Sequence, residues 1–238
     1  MAFNDGDFLE IEYSVWTTLD NALIATTDSN RAKEGNIYDE RTRYGPVLVV
    51  LGSNSVVKGL DRELHTVSLN EVKSVIFKPA DAFGERLPDL TRIMPLSDFR
   101  KRDIDPYPGM EVNVDNATAI VKSVNSGRVV VDLNHRYAGQ EIKYEIKVVK
   151  HITSEIDKVK SLGRTYNVEP SEVNPKGEDI GIKFDNNVKK NTDYFIGRAN
   201  MIAAIFTYLE GINKVEIIEE YLKPKEKKES KDRQEYSA

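Results

Sequence analysis

Residues 142–148 leave the backbone little choice of conformation. Ile142, Tyr144, Ile146 and Val148 alternate with Lys143, Glu145 and Lys147, and only a strand, with its two-residue period, puts all four apolar side chains on one side. A helix would scatter them around its circumference. The same alternation opens the chain, where Leu9, Ile11, Tyr13 and Val15 interleave with Glu10, Glu12 and Ser14. Two one-faced strands far apart in sequence predict an antiparallel sheet with one apolar face, and that face needs a cover. Leu60, Leu64 and Val67, spaced four and three apart, predict a short helix after Gly59 that supplies it. Val47 to Leu51 and Val72 to Phe77 predict further strands, punctuated by Gly52 and by Pro79-Ala80-Asp81. The first 152 residues therefore read as an α+β domain.

The composition changes near Arg86, where Pro88, Pro95, Pro106 and Pro108 enter. Farther on, Ala119 to Val124 and Val129 to Leu133 flank Asn125-Ser126-Gly127, the pattern of a hairpin with a tight turn. Residues 86–136 are expected to form a small β-rich insert, splitting the first domain into residues 1–85 and 137–152. Beyond His151 come a charged, helix-compatible run to about Leu162 and a short strand from Ile180 to Phe184. A helix is expected over Thr192 to Glu210, carrying Phe195, Ile196, Ala199, Ile202, Ile205, Phe206 and Leu209, with Asn191 or Thr192 as N-cap and Gly211 as stop. Val215, Ile217 and Tyr221 suggest a last strand, so residues 153–222 read as an α/β or α+β unit of their own. The charge-rich residues 223–238 are expected to be disordered. The apolar arc of the long helix, widened by Tyr194, Met201 and Tyr208, suits either the core of this unit or a homodimer seam.

Composition excludes several classes of chemistry. A chain of 238 residues that is 39% hydrophobic and 31% charged can build packed cores. The absence of cysteine removes disulfides, thiolate nucleophiles and zinc-cysteine sites. A net charge of -5 argues against nucleic acid and anionic membrane as partners. The acidic start, Met-Ala-Phe-Asn-Asp-Gly-Asp, has neither the basic nor the apolar region of a signal peptide, and no apolar run is long enough to span a bilayer, so a cytoplasmic location is expected. His65, His135 and His151 fall in different elements without helical i, i+4 spacing, and no metal site is expected.

The segment Leu51-Gly52, Val56-Val57-Lys58-Gly59-Leu60-Asp61 and then Ala80-Asp81-Ala82-Phe83-Gly84 resembles, in order and spacing, the signature of FKBP-type peptidyl-prolyl cis-trans isomerases. Asp132-Leu133-Asn134-His135-Arg136-Tyr137-Ala138-Gly139, followed by the Tyr144 strand, is similar to the return from the insert-in-flap domain of SlyD-type members. Asn36-Ile37-Tyr38-Asp39, Arg43 to Val50 and the added carboxyl-terminal unit resemble the long archaeal-type members. The resemblance covers residues 7–152. It implies an FKBP-like sheet packed on one helix, prolyl isomerase and folding-chaperone activity on unfolded or proline-containing polypeptides, and no cofactor. It also implies a pocket walled by Tyr13, Ile24, Val47, Val56, Val57, Leu60, Phe83 and Tyr144, with the Val57 N–H donating to a substrate carbonyl. Read by themselves these are ordinary core residues; the family spacing makes them pocket walls.

Three departures bear on that pocket. Leu60 stands where many relatives have tryptophan, Phe83 where tyrosine is common, and Ala25 where an aspartate usually polarises the twisted carbonyl. Asp28 is the nearest acidic substitute. If nothing replaces the aspartate, the implied alternative is a holdase or binding module with weak isomerase activity. In the insert, Met94, Pro95, Phe99, Tyr107, Met110 and Val112, with Leu96 and Val114, offer flexible apolar surface for chaperone clients. Some of them must form its core, because a subdomain of about 50 residues has little apolar material to spare. The histidine- and cysteine-rich metal-binding tail of many SlyD proteins does not carry over, since residues 223–238 contain neither residue.

Overall fold

A computed structural model describes residues 3–185 and 191–220. The chain divides into two compact units, Met1–Thr153 and Ser154–Ala238.

In the first unit β1 (Phe8–Thr17) lies between β2 (Leu23–Thr26) and β3 (Val47–Val50) on one side and β9 (Ile142–Ile152) on the other, and β9 pairs in turn with β4 (Val72–Phe77); all of these pairings are antiparallel. The short helix α1 (Ser29–Glu34) follows β2 and α2 (Lys58–Leu64) follows β3. Alternation decides which face is dry: Leu9, Ile11 and Val15 of β1 and Ile142, Tyr144, Ile146 and Val148 of β9 are buried together with Leu60 and Leu64 of α2, Val67 and Phe77. The single covering helix and the two long strands are those anticipated from their periodicities. Gly59 is what lets α2 approach β4, because a Cβ there would lie 2.7 Å from the Phe77 ring.

The chain then leaves this sheet through a turn at Pro88–Leu90 and builds a second one from β5 (Thr91–Pro95), β6 (Glu111–Val114), β7 (Ala117–Asn125) and β8 (Arg128–Asp132), in the order β5-β8-β7-β6, with α3 (Leu96–Arg100) between the first two strands. Ser126 (φ 47°) and Gly127 (φ 76°) are both left-handed, as a two-residue hairpin turn whose twist matches its strands requires. This sheet has its own core of Phe99, Val112, Val114, Ala119, Val121, Val129 and Val131. At its root Asn134 Oδ1 accepts from the Leu87 N–H (2.8 Å) while Asn134 Nδ2 donates to the Leu87 carbonyl (3.0 Å). The buried Asp132 carboxylate ties the same corner, pairing with Arg86 and accepting from Asn134 Nδ2 at 2.8 Å.

The second unit contains α4 (Glu155–Thr165), β10 (Glu172–Lys176), β11 (Asp179–Lys183), α5 (Thr192–Tyr208) and β12 (Lys214–Ile218). β10 and β11 form an antiparallel pair, and α5 carries the chain over to β12, which lies parallel to β11. β10 was not anticipated: Pro175 masks a strand reading, and the residue is tolerated because β10 is an edge. Asn191 caps α5 as expected, its Oδ1 accepting from the Tyr194 N–H at 3.0 Å. The helix ends at Tyr208 with Leu209 extended, so Gly211 lies beyond its stop. Tyr194 and Met201 are buried in the unit, which removes them from the exposed arc. Tyr221 and the charged residues 223–238 lie outside the described residues. Among the described residues no helix is long and apolar enough to cross a membrane.

Candidate active site

Three adjacent strands, one loop and one lip enclose a cavity of about 510 Å³. β1 contributes Tyr13 and Val15, two apart and hence on one face; Val15 lies opposite Ala25 of β2 and Tyr144 of β9, which brings Ile24, Ala25 and Tyr144 to the same place. The segment leading into α2 adds Ser55, Val56 and Val57, and the helix adds Leu60. Val57 is the N-cap of α2, so its N–H stands outside the hydrogen bonds of the helix and faces no competing acceptor there. Phe83, His135 and Tyr137 make the lip, the first two rings stacked 4.4 Å apart at 15°. The Tyr137 N–H donates to His135 Nδ1 at 3.3 Å and fixes the ring's orientation.

The floor is aromatic and dry. Tyr144 is only 5% exposed, with its ring 5.1 Å from that of Phe77 and 6.5 Å from that of Tyr13. Burial, and secondarily the neighbouring Tyr13, push the Tyr144 phenol up to about 12; burial raises Tyr13 as well. Both hydroxyls therefore stay neutral at physiological pH and can serve as hydrogen-bond donors.

Seven of the eight residues anticipated as walls line this cavity, and Val47 does not: it sits on β3, partly buried against the main core. Ala25 does line it, presenting only a methyl group. Asp28 cannot replace the absent carboxylate, because it caps α1, accepting from the Asn30 and Arg31 N–H groups, and borders a different depression. Val15, Ser55, His135 and Tyr137 were missed as lining residues. Val15 was recoverable from its two-residue offset to Tyr13, and the other two rings from the Asp132 to Gly139 stretch, whose contribution to the lip depends on how the chain re-enters the sheet.

In the insert, Phe99 and Val112 are buried in the core and offer nothing to a client, correcting the expectation for those two. Met94 and Met110 are half-buried against that core, Pro95 is exposed, and Tyr107 is 62% exposed. Ile93, at 67% exposure, is an apolar surface residue that sequence reasoning overlooked. Among the described residues no cluster of three or more His, Asp or Glu could hold a metal ion. His65 instead bonds the Phe3 carbonyl at 2.9 Å and approaches Asp5 at 3.3 Å, while His151 lies 3.3 Å from Asp7.

Residues 2–100 match the family of FKBP-type peptidyl-prolyl cis-trans isomerases, and residues 92–137 match the IF domain of FKBP26. The chain thus contains an FKBP-type isomerase domain together with an IF domain. It is similar to a short-type peptidyl-prolyl cis-trans isomerase of Methanocaldococcus jannaschii, 29% identical over 60% of this chain and 90% of that protein. It is also similar to SlyD of Vibrio cholerae (31% identical, 49% of this chain, 60% of the relative) and SlyD of Pasteurella multocida (27% identical, 54% of this chain, 66% of the relative). FKBP-type isomerases are an enzyme class whose reaction needs no covalent step, only rotation about an amide bond.

Proposed function

We propose that this FKBP-type chain accelerates cis-trans isomerisation of X-Pro bonds in unfolded polypeptides, with the aromatic-floored cavity as catalytic site and the insert as a second, chaperone-like holding surface. Amide rotation costs about 18–20 kcal/mol because resonance is lost. The rotated amide has less charge separation than the planar one, so dry apolar walls favour it, and each 1.36 kcal/mol of that preference yields about a tenfold rate gain. The observation that carries the reading is the convergence of Tyr13, Ile24, Val56, Val57, Leu60, Phe83 and Tyr144 on one cavity, with the Val57 N–H at its edge. That N–H would orient a substrate carbonyl and so seat the proline ring.

Ile93, Tyr107 and Pro95, with the flanks of Met94 and Met110, would hold apolar segments of a client. Holding a client beside the cavity raises its local concentration there. Catalytic amounts of the protein should then speed the proline-limited refolding phase of a model substrate. A second reading, a holdase with little isomerase activity, is favoured by the bare methyl of Ala25 in the cavity wall. Suppressed aggregation with an unchanged refolding rate would decide for it.

Self-association through the second unit belongs to the same proposal. On α5 Phe195, Ala199, Ile202 and Phe206 recur at spacings of four, three and four; Phe195 and Phe206 are 42% and 49% exposed, and neighbouring Ile196 is 55% exposed. The spacing reads the same in both directions with a phenylalanine at each end, so a second copy running antiparallel would set Ala199 against Ile202 and ring against ring.

A further inference from the structure

We propose that the Tyr144 hydroxyl is the group that acts directly on the substrate, donating its hydrogen to the prolyl nitrogen as the amide twists; this rests on the isomerase reading above. Tyr144 is 5% exposed and lines the cavity. Its hydroxyl has no hydrogen-bond partner among the described residues, yet the oxygen is not sealed within the protein, so it opens into the cavity. Its ring is held between those of Phe77 and Tyr13, so the hydroxyl is fixed in direction without being consumed by the protein.

The other polar candidates are less suited: Tyr13, the second phenol on the cavity, is only partly buried and also borders a neighbouring depression. Ala25 offers a methyl. Ser55 is engaged by Ser53, Oγ to Oγ at 2.9 Å. Asp28 is spent on capping α1. His135 stacks on Phe83 at the exposed lip, away from the floor.

The chemistry selects the nitrogen as the acceptor. In the planar amide the nitrogen lone pair is delocalised and accepts poorly, and the carbonyl oxygen carries the charge. Rotation returns the lone pair to the nitrogen, so a donor aimed there gains a bond only in the rotated state. A donor aimed at the oxygen would favour the planar ground state instead. Such a contact raises kcat and leaves substrate affinity alone.

Tyr144→Phe removes one oxygen and keeps the ring packing, so thermal unfolding should stay near that of the wild type. On a short chromogenic proline peptide the variant should lose about tenfold in kcat, equivalent to roughly 1.4 kcal/mol of rotated-state stabilisation, with KM unchanged. An unchanged kcat, or a loss confined to KM, would overturn the assignment. Wild-type protein with no activity on the peptide would overturn the isomerase reading and this inference together, whereas an active wild type matched by Tyr144→Phe overturns the inference alone.

Discussion

At the scale of single residues, Gly59 supports the cavity floor by letting α2 close on Phe77. A Cβ at this position would meet Phe77 Cγ at 2.7 Å and the Asp81 carbonyl oxygen at 3.0 Å, and neither the buried ring nor the backbone can yield cheaply. Phe77 in turn supports Tyr144. Gly59→Ala should cost about 1–3 kcal/mol by overpacking, read as a fall of several degrees in Tm by circular dichroism, together with a loss of peptide isomerase activity. Wild-type stability in this variant would mean that α2 is free to move off β4. Asp28 and Ala25 make the complementary point: the acidic residue closest in sequence to the expected carboxylate is committed to a helix cap, and the position itself is apolar.

At the scale of elements, α5 carries two apolar faces, one buried and one exposed. Tyr194, Met201, Ala204 and Ile205 face the core of the second unit, and the Tyr194 hydroxyl donates to Glu219 at 2.6 Å. The other face, Phe195 to Phe206, is exposed. Three or four half-exposed large side chains amount to roughly 400 Å² per copy, about half of a standard interface side, which argues for a weak, concentration-dependent dimer. Sedimentation velocity should show mass rising toward that of a dimer at high micromolar concentration, and Phe195→Ser with Phe206→Ser should abolish the rise without loss of helix content. A single species of constant monomer mass would remove α5 as a seam.

At the scale of the whole molecule, the insert and the cavity share one piece of construction. The chain enters the insert past Phe83 and returns past His135 and Tyr137, so the lip rings lie beside the Asn134, Leu87, Asp132 and Arg86 corner. The Leu133 N–H also donates to the Leu90 carbonyl at 2.9 Å, leaving two hydrogen-bonded chain ends on which a shortened protein can be closed. Replacing residues 91–131 by a Gly-Ser turn, which keeps Asp132 and its corner, should keep activity on short proline peptides within a few-fold. Catalysis of protein refolding should fall by about 100-fold, as local concentration at the cavity is lost. Equal losses on both substrates would show instead that the insert supports the lip and does not hold clients.

The sequence by itself determined the sheet, its covering helix, the hairpin of the insert and the long helix of the second unit, because each is a local repeat of period two or near 3.6 joined by recognisable turn residues. The cavity walls were legible only through the family resemblance, because alternation alone marks Tyr13, Leu60 and Tyr144 as ordinary core residues. Only the tertiary structure decided which apolar residues remain available. Phe99 and Met110 look alike in the chain, as do Met201 and Phe206, and burial separates them because a small core consumes the residues whose neighbours happen to surround them. The same holds for Tyr144: alternation puts its ring inside the sheet, but whether its hydroxyl meets a partner or an open cavity depends on β1, β4 and α2 arriving around it.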